Sequence, residues 1–555
     1  MDELLFTPYA VGHSDEGVCL GLTLGPYRIL LDCGLTDIAP LTHPSDSTQS
    51  SAQSPAPPAD FVICSHAHTD HARGLLALHQ AFPALPIYSS QATAELLPLN
   101  WPHQKHLEPF WIGLPWRQTI SLAADLVLEL WPAGHLPGAA CALLTYINQH
   151  RTYKVLYTGD CFLSPTRLVE GLPLEALRGL KPDILIIDGT DGTTHHRHRR
   201  QQENELAARL RHCLETHPDR YLVLTAPLLG LGQELLMLLR SHHHFTGYPA
   251  TVWVDPLIAQ GCDAYLNILD TFPRSVQNFA QHQPLFWDER VFPRVKRLIL
   301  GQPLPPPPAI LVVHPATPPP LYCPSPIAEW TVFLPETVEL ERWQDQVPQV
   351  GPAYNWLDAL KNTAQSGTVQ LETYGLSFHC DGLSTTQLIH NLRPQHVLLV
   401  HGPPNHLANL ANLEELQNRY QIRIPLPGQP IELLLDQPFW QPAPPRETTY
   451  EGEILETQEA LTISLPPELT EDSRWPAFAD TGLIEFSWQG DKLVMRGLSQ
   501  ADMLLSVPSQ IQTCFHCRHQ QQQYCRNPAS PLFNRQVTPD GYCPEFSASE
   551  NSSGH

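Results

Sequence analysis

The chain has 555 residues, and at roughly 150 residues per domain it is too long for one small module and is expected to hold two to four domains. Hydrophobic residues are 42% and charged residues only 16%, which supplies real cores and excludes disorder throughout. With 33 Lys and Arg against 56 Asp and Glu, the net charge is −23, the wrong sign for a protein that coats nucleic acid non-specifically, so any contact with phosphates has to be local.

The first eight residues carry two acids and no basic stretch, unlike a secretory signal. The longest near-apolar run, Leu222 to Leu239, is broken by Gln233 and Glu234, so no membrane span is expected. Thirteen cysteines, an odd number and mostly scattered, do not form a disulfide framework and point to a reducing cytoplasm. Residues 1 to 40 alternate like strands, and the apolar run Tyr27 to Leu31 stops at Asp32-Cys33-Gly34. Leu41 to Ala59 shifts to Ser, Pro, Gln and Ala, a surface insertion. A buried strand Phe61 to Cys64, a His-rich loop and a helix from about Gly74 to Ala81 follow, then strand-like runs near Ile87, Leu126 to Leu130, Ala140 to Ile147, Lys154 to Thr158 and Asp183 to Asp188. Strands and helices mixed in this way indicate a layered α/β domain.

A second alternating series opens with a helical pattern at Gln201 to His212, strand Tyr221 to Thr225 and helix Gly232 to Ser241, and runs to about Gln370. Inside it the proline-rich Gly301 to Leu321 has to be extended or irregular around a strand at Ala309 to Val313. Strand-like runs return at Ser377 to Phe378 and Val397 to Val400. A proline-rich linker, Gln437 to Arg446, precedes a segment with strand signals at Leu461 to Leu465 and Leu483 to Trp488, and the tail after Pro508 bears cysteines.

The chemistry is concentrated in Ser65-His66-Ala67-His68-Thr69-Asp70-His71. Two residues apart after a strand, His66 and His68 point the same way and reach one ion, while Asp70 and His71 are aimed at a neighbouring position as the chain turns. This ligand set suits two zinc ions. The remaining ligands should be single residues at strand ends: His135 between Gly134 and Gly138, Asp160 after Leu156-Tyr-Thr-Gly159, and His401 after Val397 to Val400.

In this order, these residues resemble the metallo-β-lactamase superfamily, and within it the β-CASP branch of RNA-processing nucleases, over residues 1 to about 436. His66, His68, Asp70 and His71 match the family's His-x-His-x-Asp-His; Asp32 matches the acid ending a strand; Ala133 to Ala139 match Ala-Gly-His-x-x-Gly-Ala; Thr158 to Asp160 match Thr-Gly-Asp. The three β-CASP motifs are matched by Asp188, by His379-Cys380-Asp381 and by Val400-His401-Gly402. Two positions depart: the first β-CASP motif reads Asp188-Gly-Thr-Asp191 instead of Glu-Ser-Thr-Tyr, and Leu231 replaces the arginine of a Gly-Arg-x-Gln-Glu run.

The resemblance implies an αββα sandwich (residues 1–200 and 371–436) interrupted by an α/β cap (201–370), followed by a small β-containing domain (447–508) and a cysteine module (509–555). It implies a ribonuclease in which a hydroxide bridging two zincs attacks phosphorus. His66, His68 and His135 would hold one ion, Asp70, His71 and His401 the other, and Asp160 would bridge. His379, polarised by Asp188, would be the general acid, and Asp32 would orient a metal histidine. A histidine at position 401 points to RNA. Arg197, Arg199, Arg200, Arg209 and Arg211 are either a phosphate patch or a solvated helix start, and His242, His243 and His244 read as a surface cluster. A catalytically silent scaffold subunit of an RNA-processing complex and a hydrolase of a small ester are the competing readings, and a homodimer or such a complex is the expected assembly. Outside the resemblance, Cys514, Cys517, Cys525 and Cys543 match a structural zinc site or an iron–sulfur cluster.

Overall fold

The structure, a computed structural model, describes residues 4–13, 16–42, 56–104, 106–148, 151–302, 304, 306–315, 317, 330–335 and 369–435, and beyond them 453–456, 461–464, 475, 484–489, 492–497, 517–521, 524–530, 532–537 and 547. Contacts divide the chain into two units, Met1–Pro442 and Ala443–His555.

In chain order the strands of the first unit are β1 (Leu4–Val11), β2 (Val18–Leu24), β3 (Tyr27–Leu31), β4 (Phe61–Ile63), β5 (Ile87–Ser90), β6 (Ile112–Leu114), β7 (Ile120–Ser121), β8 (Leu126–Pro132), β9 (Ala140–Ile147), β10 (Thr152–Tyr157), β11 (Ile184–Asp188), β12 (Tyr221–Thr225), β13 (Thr251–Val254), β14 (Arg294–Arg297), β15 (Ala309–Val313), β16 (Trp330–Pro335), β17 (Val369–Tyr374), β18 (His396–Val400), β19 (Gln421–Arg423) and β20 (Ile431–Glu432). They build three sheets, in the orders β20-β1-β2-β3-β4-β5-β6, β19-β18-β11-β10-β9-β8-β7 and β14-β13-β15-β12-β16-β17.

The first two sheets share one core. Alternate residues of each strand face inward: Leu20 and Leu22 of β2 and Ile29 and Leu31 of β3 pack with Leu128, Leu144, Val155, Ile184, Ile186 and Leu398 of the second sheet, as the two-residue side-chain period of a strand requires. The intervening residues, such as Leu185 and Ile187 of β11, face outward into a layer with Leu388, Ile389 and Leu407 of the helices Gly382–Leu392 and Pro404–Ala411. Strands covered on both faces read as unbroken apolar runs, which is why β11 and β18 are buried along their whole length.

The third sheet is parallel throughout. It lies in sequence between β11 and β18, which pair directly with Asp188 opposite Val400. Ser377 and Phe378, expected in a strand, are irregular: β17 ends at Tyr374, and Ser377 exchanges hydrogen bonds with the Gln202 side chain instead of a ladder. The helix expected at Gln201 to His212 is longer, Arg199–Thr216.

In the second unit, Glu453–Glu456 pairs antiparallel with Leu461–Ser464, Ile484–Gln489 with Lys492–Gly497, and Gln520–Gln521 with Tyr524–Cys525. Cys525, Leu532 and Val537 are buried, and Cys517 is half-buried. Cys514 and Cys543 lie outside the described residues.

Candidate metal centre

β3 runs parallel to β4, and β10, β11 and β18 run parallel to one another, so within each sheet their C-terminal ends open on one edge, the place where parallel strands present loops. Asp32 follows β3, Ser65 and His66 follow β4, Asp160 follows β10, Asp188 ends β11 and His401 follows β18. Asp32 and His401 hold left-handed backbone (φ 59° and 58°), a conformation costly for side-chain-bearing residues and kept where the surroundings fix it. Gly34 makes room for the loop: a methyl there would lie 1.6 Å from the Asp70 carbonyl oxygen.

Two groups of ligand atoms converge. In the first, His68 Nδ1 is 3.1 Å from both His66 Nε2 and His135 Nε2, and Asp160 Oδ2 is 3.5 Å from His66 Nε2 and 3.7 Å from His135 Nε2. In the second, Asp70 Oδ2 lies 3.4 Å from His401 Nε2 and 3.9 Å from His71 Nε2, and Asp160 Oδ1 lies 3.3 Å from His71 Nε2. Asp160 therefore turns one oxygen toward each group.

The opposite nitrogens are anchored. His71 Nδ1 donates to Asp32 Oδ2 at 2.7 Å, and His135 Nδ1 donates to the Phe378 carbonyl at 2.9 Å. Ser65 Oγ gives its proton to Asp32 (2.7 Å) and so accepts from His66 Nδ1 (2.9 Å). Thr190 Oγ1 gives its proton to Asp188 (2.6 Å) and so accepts from His401 Nδ1 (2.7 Å). With those protons on Nδ1, the Nε2 atoms of His66, His71, His135 and His401 carry lone pairs. His68 Nδ1 can donate to only one of the two nitrogens beside it. His71 Nε2, Asp70 Oδ1 and Asp160 Oδ1 are buried without a hydrogen-bond partner. Lone pairs gathered this closely repel unless a cation is shared among them, so the residues fit a metal. Without one, His71 is among the groups that balance these carboxylates: burial pulls its pKa down, but Asp160, Asp32 and Asp70 hold it well above the usual range. A dication would take over that role.

Beside these groups, His379 Nδ1 donates to Asp188 Oδ2 at 2.7 Å. Burial lowers the imidazole's pKa, yet the Asp188 charge and hydrogen bond outweigh it and push it up to about 10. Asp188, though shorter than the glutamate of the family motif, reaches His379 and also takes the Thr190 N–H at 2.9 Å. Asp191 holds His196 Nε2 at 2.8 Å. The Cys380 N–H donates to the Cys161 carbonyl at 3.0 Å, which ties the His379 segment to the loop of Asp160.

Sequence reasoning missed Tyr157, whose hydroxyl donates to Asp32 at 2.6 Å, and the Phe378 carbonyl. A buried tyrosine at a strand end carries no special pattern, and a backbone carbonyl carries none at all. Ser65 and Thr190, adjacent to the motifs, could have been found.

Most arginines of the stretch are paired or buried. Arg197 pairs with Glu205 (2.7 Å), Arg209 with Glu372 (2.7 Å) and Arg211 with Glu215 (2.6 Å), while Arg199 is buried. Only Arg200 of the five is exposed with no ion pair among the described residues. Leu231, in place of the family's arginine, is buried at the start of the helix Leu231–Ser241. His242, His243 and His244 lie close together with ring centroids 4.3 to 5.1 Å apart, and their ligand atoms fall within metal-binding reach. Both nitrogens of His242 are spent, however, on Asn204 Oδ1 (2.9 Å) and on the His244 N–H (3.3 Å).

Two family descriptions match the chain: a beta-lactamase superfamily domain over residues 27–218 and a Zn-dependent metallo-hydrolase RNA specificity domain over residues 368–425. The chain is 44% identical to Uncharacterized protein sll0514 of Synechocystis, over 99% of its own length and 97% of the relative's. It is 27% identical to Probable RNase MJ4 of Methanocaldococcus jannaschii, over 48% of this chain and 62% of that one. To Integrator complex subunit 11 of Danio rerio it is 22% identical, over 77% and 74%. Strand-end ligands, an inserted parallel sheet and these matches agree: the chain belongs to the metallo-β-lactamase superfamily, in its β-CASP branch of RNA-processing metallo-hydrolases.

Proposed function

We propose that this protein is a zinc-dependent ribonuclease that hydrolyses phosphodiester bonds at a binuclear centre. The observation that carries the proposal is the convergence of unprotonated imidazole nitrogens and partnerless carboxylate oxygens into two groups that share Asp160. His66, His68 and His135 would hold one zinc, Asp70, His71 and His401 the second, with Asp160 between them. Bound zinc supplies a water acidic enough to attack at neutral pH and positive charge to hold phosphate oxygens.

The rest is done by the chain. Asp32, carrying the hydrogen bonds of Ser65, Tyr157 and His71, fixes the His71 ring so that Nε2 faces inward. The bond from His379 Nδ1 to Asp188 directs the transferable proton to Nε2, and the Asp188 charge keeps that proton in place at neutral pH until a leaving oxygen takes it. The RNA specificity domain match spans both His379 and His401, which supports RNA over DNA. The full set of ligands argues against a silent scaffold.

In this reading residues 201–370 are a cap over a sandwich made by 1–200 and 371–436, and 447–508 and 509–555 are two further small domains. Cys514, Cys517, Cys525 and Cys543 would hold a structural zinc or an iron–sulfur cluster. The name of Integrator complex subunit 11 places that relative in a complex, and we propose an RNA-processing complex or a homodimer for this chain, in the reducing cytoplasm. Among the described residues no helix is long and apolar enough to cross a membrane.

The test is incubation of purified protein with end-labelled RNA and matched DNA, beside the variant His68→Ala, with metal content measured on both. Cleavage of RNA by wild type only, with about two zincs lost or weakened in the variant, is expected. Equal persistence of RNA with both proteins, together with no bound metal in wild type, would falsify it. A Cys517→Ser variant of the full chain should lose one further equivalent of zinc or its iron while cleaving RNA normally.

A further inference from the structure

Arg199 opens the helix Arg199–Thr216, which packs on the inserted sheet at β12 and on the helix Leu231–Ser241. Although it is an arginine beside a nuclease centre, it is buried and does not face phosphate. Its Nε lies 3.1 Å from Glu203 Oε1 and its Nη2 3.5 Å from Glu234 Oε2. Its Nη1 donates to the Ser377 carbonyl at 2.7 Å, and its guanidinium sits over the Phe378 ring, 4.6 Å from the centroid. Ser377 is gripped a second time by Gln202, three residues further along the same helix, through side-chain bonds of 2.8 and 2.9 Å.

The gripped segment is the one that matters for the chemistry. The Phe378 carbonyl orients His135, and the next residue is His379. Glu234 extends the grip to the other side: its Oε1 accepts from Thr166 Oγ1 (2.6 Å) and the Leu168 N–H (2.9 Å), and its Oε2 from the Arg167 N–H (3.0 Å). Arg167 completes the set through Glu203 Oε2 at 2.7 Å. Two arginines and two glutamates, all largely shielded from water, thus tie helices of the inserted sheet to two loops of the sandwich. A buried ion network of this kind is weak evidence for stability and is better suited to fixing a geometry.

We propose that Arg199 is a positioning residue: held by Glu203 and Glu234, it sets the Ser377–Phe378 backbone, and through it the ring of the metal ligand His135 and the placement of His379, so that seating of the inserted sheet is felt at the metal centre. This rests on the zinc-nuclease reading above. Arg199→Met keeps the stem and removes the guanidinium; Arg199→Lys keeps the charge without the planar fork or the stacking face; Glu234→Gln loosens the arginine without touching the His379 segment.

Zinc retention is read by competition with chelators of graded strength, and kcat and KM on labelled RNA are measured alongside, with thermal melts to confirm folding. Arg199→Met should lower zinc affinity about 10- to 100-fold, the usual effect of losing a group that orients a ligand, and reduce kcat with KM within about twofold. Arg199→Lys should recover part of both, and Glu234→Gln should give a smaller change in the same direction. The double variant Arg199→Met/Glu234→Gln should fall well short of the summed effects, since both act through one contact. Unchanged zinc affinity in a folded Arg199→Met protein, or additive effects in the double variant, overturns the inference. If Arg199→Met fails to fold, the Lys and Gln variants carry the same comparison. Zinc competition decides the matter even if wild type leaves RNA intact, which separates failure of this inference from failure of the nuclease reading.

Discussion

Two places among the described residues gather histidines within metal-binding reach, and they are built differently. At the sandwich edge each of His66, His71, His135 and His401 spends Nδ1 on a fixed partner and keeps Nε2 for the centre. In the inserted region His242 spends both nitrogens on protein partners, and its ring stacks on His244 and lies tilted against His243. Proximity of imidazoles is therefore a poor sign of a metal site. The better sign is asymmetry within each ring, one nitrogen anchored on an outer partner and the other turned toward the converging ligand atoms.

The sharpest way to break that contrast is Asp160→Ala. Removing the carboxylate shared by both groups should abolish stoichiometric zinc and slow RNA cleavage by about 10³-fold or more, several kcal/mol of charge stabilisation being lost; metal analysis and a cleavage time course check it. His379→Ala should retain zinc and lose about 10²-fold in kcat, as removal of a general acid does. Asp32→Asn, which spares every atom facing the centre, should cost about 10- to 100-fold in zinc affinity, measured by chelator competition.

A smaller effect is expected at the other cluster. Burial first, then the neighbouring His243 and Arg167 charges, lower the pKa of His242 to about 4. Because the folded value lies below the ordinary 6.5, neutral His242 contributes stability that is present above pH 6.5 and is lost as pH falls toward 4. Thermal melts at pH 7 and 4.5 should therefore show a shallower acid loss in His242→Gln than in wild type. The smallest effect belongs to His243→Ala, expected to leave zinc content unchanged and cleavage within about twofold; a lost equivalent of zinc there would overturn the contrast.

Much of the centre was legible because it is built from strand ends. An apolar run that stops at Asp32, Asp160 or His401 signals a parallel strand delivering one side chain to an edge, and His66-x-His68 declares its own geometry. What was hidden depends on pairing across the fold. The arginines after Asp188 look like a phosphate patch until Glu205, Glu372 and Glu215 are brought beside them. Ser377 and Phe378 look like a strand, since nothing local shows that Gln202 and Arg199 take their backbone bonds. Tyr157 is one more apolar-run residue until its hydroxyl meets Asp32.

The adjacency of β11 and β18 has a consequence for the order in which the protein is made. The two strands touch, yet the whole third sheet separates them along the chain. During synthesis a nascent chain carries His66, His68, Asp70, His71, His135 and Asp160 well before His379 and His401 emerge, and β18 has to find β11 across that long insertion. Until it does, His401 is absent from beside Asp70 and Asp160, and His379 is absent from beside Asp188. The group around Asp70 is therefore completed only when the pair of β11 and β18 forms, after the inserted sheet has been made.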